Sequence, residues 1–265
     1  MTDPGVAFEI GNIPIRWYGI LISAAVFIAG SLAYRECKRQ HLNQEEAVNI
    51  ALIGLPLTII CSRLYYVLMS WEYYSQHPEE IIRIWEGGLA IHGAIISAIV
   101  LVVIYDYIRK IDFWQWADLA VPFVALGQAI GRWGNFFNQE AYGYPTDLPW
   151  AMYIDGAYRH PTFLYESIVD FIIFVVLYRL LHKPHKKATI FSLYIIFYSV
   201  ARFFIERLRT DSLMIGSIRA AMLVSVIGIV AGIVILYLRR KQPVVDVLAP
   251  IPPQEKTERK KNRDK

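Results

Sequence analysis

Two long runs without a charged side chain constrain the fold of this chain most strongly. Residues 17–34 and 220–238 contain no Asp, Glu, Lys or Arg. At a rise of about 1.5 Å per residue, a helix over either run crosses the roughly 30 Å hydrocarbon core of a bilayer. The composition agrees, since 55% of the residues are hydrophobic and only 19% are charged. We therefore interpret the chain as a membrane protein, and reject the alternative of an apolar soluble enzyme.

Hydropathy predicts an all-α, polytopic membrane protein with seven transmembrane helices. Residues 1–16 show no signal peptide, so the first span is expected to remain in the mature protein. Residues 1–241 are predicted to form a single seven-helix transmembrane domain, and residues 242–265 a basic, disordered cytoplasmic tail. The predicted spans cover residues 17–34, 47–69, 88–106, 113–131, 162–181, 188–208 and 217–239.

The distribution of basic residues predicts the orientation. Eighteen of the 27 Lys and Arg residues fall in the first, third and fifth loops and in the tail. An excess of positive charge marks the cytoplasmic side, so the N-terminus is expected outside and the C-terminus in the cytoplasm. The other nine basic residues are all arginines, whose planar fork binds phosphate through two hydrogen bonds. The outer side is therefore predicted to bind an anionic group.

Polar residues interrupt the apolar spans at two places. The run of residues 129–140 ends in an arginine, two asparagines, a glutamine and a glutamate. An arginine at mid-bilayer costs roughly 2.5–3.5 kcal/mol on insertion scales, which favours a functional role for this cluster. In the sixth span, Tyr198, Arg202, Glu206 and Arg209 are spaced to share one helix face. The alternative is an intrahelical salt-bridge ladder between Arg202 and Glu206.

His92 is predicted near the outer end of the third span, among three glycines. Two roles fit this residue equally: it contacts a ligand, or it packs within the span and makes a hydrogen bond there. Arg63 and Glu166 are interpreted as structural partners of buried charge. The spacing of His, Cys and acidic residues predicts neither a metal site nor a cofactor, and a phosphate-binding loop with its lysine is absent from the sequence.

Five motifs occur in chain order. They are RWYG at residues 16–19, GGLAIHG at 87–93, GRWGNFFNQE at 131–140, HPTFLYE at 160–166, and the face of Tyr198, Arg202, Glu206 and Arg209. Together they resemble the prolipoprotein diacylglyceryl transferase family, over about residues 8–239. Gln139 stands where the family has a small residue, often glycine, and Phe163 replaces a glutamine. The loss of that glutamine predicts the loss of a polar contact.

The resemblance implies a reaction. The diacylglyceryl group of phosphatidylglycerol moves to the lipobox cysteine thiol of a prolipoprotein signal peptide, a thioether forms, and glycerol 1-phosphate leaves. It also implies a multi-pass protein of the bacterial cell membrane, in contact with membrane lipids, with its active site facing the outer leaflet. Such chemistry requires a thiolate, from a thiol with a pKa of about 8.5, and a site that holds the charge of the departing phosphate.

The resemblance also implies roles for individual residues. The predicted catalytic residues are His92 as base, Arg132 and Arg202 on the phosphate, and Tyr18 as an orienting group. A tyrosine, water or Glu as base, with His92 orienting the ligand, remains an alternative. The predicted substrate-binding residues are Arg132, Asn135, Asn138, Glu140, Gly143, Tyr198, Glu206 and Arg209.

Two other classes of function compete with this one. The first is a membrane transporter or flippase for an anionic lipid or solute, since arginines line anion pathways. The polar cluster lies at one face instead of crossing the midplane, and the two halves show no obvious repeat, which disfavours a transporter. The second is a non-catalytic assembly factor in which the arginines are structural.

Overall fold

The computed structural model describes residues 5–11 and 13–249, apart from the side chains of Ile13 and Glu86. The end of the predicted tail, residues 250–265, lies outside the described residues. Short 3₁₀ turns cover Pro78–Glu80, Ile84–Glu86 and Glu206–Leu208. The α-helices are α1 (Trp17–Arg39), α2 (Gln44–Met69), α3 (Trp71–Tyr74), α4 (Ile91–Arg109), α5 (Phe113–Phe137), α6 (Thr162–Leu181), α7 (Thr189–Ile205) and α8 (Ala220–Arg239).

Within the described residues, five helices are long and apolar enough to cross a membrane. They are α1, α2, α4, α8, and α7 together with its 3₁₀ extension to Leu208. Helix α5, with 25 residues, and helix α6, with 20, are as long, but polar and charged residues interrupt their apolar sequences. The prediction of a mostly helical protein with several apolar spans is confirmed, and the count of seven spans stays a prediction.

The predicted end of the fourth span at residue 131 is wrong. Helix α5 continues to Phe137, so Arg132 and Asn135 lie within the helix. The glycines of this segment favour close packing against α1 and do not end the helix. A Cβ at Gly134 would lie 2.6 Å from Cδ2 of Tyr18, so only glycine leaves room for the tyrosine ring.

Several further helix ends differ from the prediction by one to five residues, and two of them illustrate why. Helix α4 begins at Ile91, three residues later than predicted, because Gly87 and Gly88 have φ of +99° and +72° and cannot continue a right-handed helix. Helix α7 ends at Ile205, before the predicted end at residue 208, and the chain tightens there into the 3₁₀ turn Glu206–Leu208.

The described residues also form four two-stranded antiparallel sheets, so the prediction of a purely α protein is too simple. These strands are two to five residues long, too short for a periodicity argument to find. One of the pairings, between residues 185–186 and 244–245, includes part of the segment predicted to be disordered. The pairs are β1 (Val6–Ile10) with β2 (Ile13–Arg16), β3 (Met152–Ile154) with β4 (Ala157–Arg159), β5 (His185–Lys186) with β8 (Val244–Val245), and β6 (Met214–Ile215) with β7 (Ile218–Arg219).

The chain divides into two compact units, and the predicted boundary of a single domain at residue 241 stays a prediction. The smaller unit is Leu42–Phe113 and contains α2, α3 and α4. Its helices α2 and α4 approach closely at Gly93, where a Cβ would meet the carbonyl oxygen of Cys61 at 2.2 Å. The larger unit contains the rest of the described chain, including α1 and α5 to α8.

Packing in the larger unit has an apolar core and one buried cap. Asp118, one of the residues that interrupt α5, accepts hydrogen bonds from the backbone N–H groups of Ala188 (2.7 Å) and Phe191 (2.8 Å). These N–H groups at the start of α7 lack partners within their own helix, so a polar residue in an apolar span here caps a neighbouring helix. The core cluster consists of Val121, Ala125, Ile173, Leu177, Leu181 and Ile190.

Candidate active site

Three arginines converge on the carboxylate of Glu166 in the larger unit. Arg132 of α5 contacts Oε2 through Nη2 at 2.5 Å, and Arg202 of α7 donates from Nη1 to Oε1 at 2.5 Å. Arg209, which follows the 3₁₀ turn, reaches Oε1 through Nη1 at 3.4 Å. Glu166 is only 4% exposed. Because a buried carboxylate requires such partners, the three cations and Glu166 form one electrostatic unit, which we call the arginine cluster.

The interaction between Arg202 and Glu206 is present but is only part of the arrangement. Nη2 of Arg202 lies 2.7 Å from Oε2 of Glu206, four residues further along the chain in the 3₁₀ turn that follows α7. The same guanidinium also reaches Glu166 on α6, so it joins two helices. The intrahelical ladder and the predicted gathering of arginines therefore occur together.

Arg209 lies at the edge of the cluster and is held by a second acid. Its Nε and Nη2 donate to the two carboxylate oxygens of Asp211, at 3.0 and 2.7 Å. Burial acts to lower the pKa of this guanidinium, but the hydrogen bonds and charge of Asp211 outweigh it and hold the pKa above its ordinary value. Arg209 therefore stays positively charged at any physiological pH.

Glu140 organises the polar end of the residue 131–140 motif. Its Oε1 accepts hydrogen bonds from Nδ2 of Asn135 (2.9 Å) and Nδ2 of Asn138 (3.2 Å). Its backbone N–H donates to the carbonyl oxygen of Asn135 at 3.0 Å. Oδ1 of Asn138 is buried and, within the described part of the chain, has no hydrogen-bond partner. That oxygen remains available to a donor on a ligand.

Gly143 lies in a narrow gap between two other backbone segments. Its N–H donates to the carbonyl oxygen of His160 at 3.0 Å, and the N–H of Tyr144 donates to that of Leu208 at 2.9 Å. Gly143 also forms an antiparallel bridge with Arg209. A Cβ at Gly143 would lie 2.6 Å from Cβ of His160 and 2.8 Å from the carbonyl oxygen of Leu208. This triple contact, which we call the loop clamp, fixes the loop between α5 and α6 against the end of the arginine cluster.

The two departures from the family motifs have clear structural surroundings. Gln139 has φ of +52°, the left-handed region in which glycine carries no Cβ penalty. Its side chain accepts a hydrogen bond from the backbone N–H of Asp155 at 2.8 Å, which ties the β3–β4 turn to the end of α5. Phe163 is 2% exposed and packs with Phe136, at 4.9 Å between ring centroids. An apolar contact therefore replaces the polar one expected there.

The turn between β3 and β4 carries a second polar network. The hydroxyl of Tyr142 donates to Oδ2 of Asp155 at 2.5 Å. Arg159 places its guanidinium carbon 4.6 Å from the centre of the Tyr142 ring, in a cation–π contact. The hydrogen bond to Asp155 raises the pKa of the Tyr142 hydroxyl. The tyrosine therefore remains a protonated donor near neutral pH.

The predicted orienting tyrosines occupy different positions. Tyr198 on α7 accepts a hydrogen bond from Nη2 of Arg132 at 3.4 Å and lies beside the arginine cluster. Tyr18 on α1 packs against Gly134 of α5, one turn of helix from Asn138. Both tyrosines belong to the larger unit.

His92 and Arg63 belong to the smaller unit. The His92 ring is exposed and stacks on Tyr65, with 5.5 Å between centroids. Nε of Arg63 donates to the carbonyl oxygen of Ile81 at 2.8 Å, and Nη1 donates to that of Gly87 at 2.8 Å. This arginine therefore organises the loop that precedes α4, as the structural interpretation expected. The catalytic assignment of His92 stays a prediction.

Two acids on α6 matter more than the sequence indicated. Glu166 was interpreted as a structural partner of charge, yet it is the centre of the cluster. Asp170 lies one turn further along α6 and is 3% exposed. Its Oδ2 has no hydrogen-bond partner among the described residues. It lines a small cavity together with Glu166, Tyr198 and Arg202. The signal in the sequence is the spacing of two acids by four residues in an apolar span.

In the described ranges, no group of three or more His, Cys, Asp and Glu side chains is placed to hold a metal ion. Among the described residues, Arg132, Arg202 and Arg209 bring positive charge to the site. These features define a helical, multi-pass membrane protein with a charged site enclosed between helices.

Comparison with known proteins identifies the family. A family model described as prolipoprotein diacylglyceryl transferase matches residues 5–238. A protein of Bacillus velezensis is 44% identical, over 91% of this chain and 94% of its own length. Proteins of Trichormus variabilis and Clostridioides difficile are each 47% identical, over 94% and 89% of this chain and 95% and 96% of their own lengths. All three are named phosphatidylglycerol–prolipoprotein diacylglyceryl transferase. The chain belongs to the prolipoprotein diacylglyceryl transferase family, and is a transferase.

Proposed function

We propose that this chain transfers the diacylglyceryl group of phosphatidylglycerol to the lipobox cysteine thiol of a prolipoprotein, the first step of lipoprotein maturation. Its relatives carry the names of both substrates. The observation that carries the chemistry is that Arg132 and Arg202 both contact one carboxylate, at 2.5 Å each. Two guanidinium groups that share one small anion have the separation needed to share a phosphate.

Phosphate recognition is assigned to the arginine cluster. Arg132 binds the phosphate of phosphatidylglycerol, and Arg202, positioned by Glu206, holds the leaving group. Arg209 contacts the headgroup or the incoming peptide. Fixed cations in a water-poor site stabilise the charge that develops on the departing phosphate, which is the largest contribution expected in such a reaction.

The headgroup and the lipid glycerol are assigned to neighbouring polar groups. Asn135 and Asn138 support the headgroup by hydrogen bonds, and Oδ1 of Asn138 is the acceptor that is unpaired within the described residues. Glu140 and Gly143 shape the loop that presents these amides. Tyr18 and Tyr198 orient the ligand, since Tyr198 already contacts Arg132.

The proposed transfer is a nucleophilic displacement at a carbon atom of the lipid glycerol. His92 takes the proton of the lipobox thiol, and the sulfur attacks the glycerol carbon that bears the phosphate. The carbon–oxygen bond breaks, and its electron pair leaves with glycerol 1-phosphate. If a tyrosine, water or Glu accepts the proton instead, His92 orients the ligand.

The membrane arrangement is proposed to have seven spans, formed by α1, α2 and α4 to α8. The N-terminus then lies outside, the C-terminus lies in the cytoplasm, and the active site opens to the outer leaflet. The concentration of lysines in alternate loops and in the tail supports this orientation. Membrane lipids and the signal peptide reach the site from that leaflet.

Replacement of either phosphate-binding arginine by lysine tests the proposed function. Arg132→Lys and Arg202→Lys keep the charge and lose the fork, so we expect kcat/KM to fall about 10²- to 10³-fold with normal expression, the loss typical for one stabilising donor. The measurement follows the mass of a lipobox peptide, incubated with phosphatidylglycerol and the purified full chain. The product is heavier by one diacylglyceryl group.

Arg35→Lys, at an exposed position of α1, is the matched control and should keep full activity. Turnover by Arg132→Lys near that of the wild type would refute its role. A wild-type protein that moves lipid or anions across a membrane and never modifies the peptide would refute the enzyme altogether.

A further inference from the structure

The carboxylate of Glu166 occupies the position that the proposed function gives to a phosphate. It contacts Nη2 of Arg132 and Nη1 of Arg202, and both are terminal nitrogens of the guanidinium fork. These are the atoms through which arginine binds phosphate oxygens. A phosphate on both arginines therefore competes with Glu166 for the same guanidinium nitrogens.

Addition of a phosphate without the loss of Glu166 is electrostatically unfavourable. The carboxylate is 4% exposed, so water screens it poorly, and a second anion beside it would be repelled. A phosphodiester and a carboxylate each carry one negative charge. An exchange of one for the other leaves one negative charge facing Arg132 and Arg202.

Among the described residues, Arg209 is the further cation that already contacts this carboxylate. Nη1 of Arg209 already lies 3.4 Å from Oε1 of Glu166. The small cavity on the other side of Glu166 is lined by Asp170, whose Oδ2 is unpaired among the described residues. Two carboxyl groups side by side repel unless they share a proton, so rotation toward Arg209 is favoured over rotation into the cavity.

We propose that Glu166 is a positioning residue that acts as the resident anion of the arginine cluster. It holds Arg132 and Arg202 together while the site lacks lipid, and the phosphodiester of phosphatidylglycerol displaces it from both. Its return helps to expel glycerol 1-phosphate after transfer. This inference rests on the proposed function and adds a role that the family motifs do not assign to this acid here.

The test measures lipid affinity separately from transfer. Glu166→Gln keeps the shape of the side chain and removes the competing charge, so phosphatidylglycerol should bind about 5- to 10-fold tighter than to the wild type. The purified full chain is titrated in neutral detergent micelles, once with phosphatidylglycerol and once with glycerol 1-phosphate alone. We expect both ligands to bind tighter, and kcat to fall relative to KM because the product leaves more slowly.

The matched control is Glu36→Gln, which removes another buried carboxylate of the same unit. Glu36 pairs with His182 at 2.9 Å, and it lies eighteen residues along α1 from Tyr18, roughly 27 Å at the helical rise. Its replacement should leave both affinities unchanged. If Glu166 only supports the arginines, Glu166→Gln will bind phosphatidylglycerol equally or more weakly, which overturns the proposal. Tighter binding of glycerol 1-phosphate without tighter binding of phosphatidylglycerol also overturns it.

A second variant decides the matter if Glu166→Gln does not fold. Glu166→Asp keeps the charge but withdraws it from the two arginines by one methylene, so it should also tighten lipid binding, and unchanged or weaker binding contradicts the proposal. The wild-type transfer assay runs in the same preparation. Absence of transfer by the wild type refutes the proposed function, whereas the change in affinity reports on Glu166 alone.

Discussion

Single residues set the geometry of the loop between α5 and α6. Gly143 shows how little space is left for a side chain there. Its position would place a Cβ 2.6 Å from Cβ of His160, closer than real side chains approach. Both contacts of that Cβ are relatively rigid, since one is a Cβ atom and the other a backbone carbonyl oxygen. The loop clamp therefore depends on the absence of a side chain.

Gly143→Ala should open the loop clamp and reduce transfer by at least about tenfold, since a displacement of about 1 Å near a reacting centre can cost about 10²-fold. The whole protein should remain folded because the clamp lies at the end of the helices. Peptide modification measures the activity, and thermal unfolding in detergent measures the fold.

Gly30→Ala is the corresponding control within α1, where a Cβ meets nothing within 4 Å. Alanine is a better helix former than glycine, so this variant should be as active and as stable as the wild type or slightly more stable. Full activity of Gly143→Ala would show that transfer does not require the narrow gap at this position.

The residues of the arginine cluster illustrate what a sequence can predict about a site. Tyr198, Arg202 and Glu206 share a helical spacing, and the structure places them around one group of charges. The central position of Glu166 could not be predicted, because the partner of a buried charge depends on the rotation of α6 about its own axis. No local pattern reports that rotation.

At the scale of elements, small residues determine how closely the helices pack. Gly228 and Gly232 on α8 face α7, where a Cβ at Gly232 would lie 2.6 Å from Cγ1 of Ile196 and 3.0 Å from the carbonyl oxygen of Ser192. Glycines four residues apart allow this approach in apolar helices.

Gly232→Leu should separate α7 from α8 and destabilise the protein by about 1–3 kcal/mol, the usual cost of an overpacked contact. A lower midpoint of thermal unfolding in detergent is the measurement. Val230→Leu adds bulk at a 54% exposed position of the same helix and should leave the midpoint unchanged. Equal midpoints for both variants would contradict the importance of this packing.

The helix boundaries show why glycine is ambiguous in a sequence. Gly131 suggested the end of the fourth span, but it serves contact with α1, where its Cβ would meet Ile22 at 3.3 Å. Gly87 and Gly88 do break the chain, since their φ values are positive. Whether a glycine breaks a helix or allows close packing depends on neighbouring residues that lie far away in the sequence.

At the scale of the whole molecule, the sequence predicts the orientation through the distribution of lysine. A test uses single cysteines in a background in which Cys37 and Cys61 are serine. Asp147→Cys, in the exposed outer loop, should react with a membrane-impermeable maleimide in intact spheroplasts, and Lys183→Cys should react only after lysis. Labelling in the opposite pattern would invert the proposed topology.

The loop clamp also has a consequence for the timing of biosynthesis. The backbone groups that hold residues 143–144 come from His160 and Leu208, and the second of these is translated sixty-four residues after Tyr144. A nascent chain therefore lacks one half of the loop clamp until Leu208 has been translated. Polypeptides that end before that residue cannot complete the loop clamp.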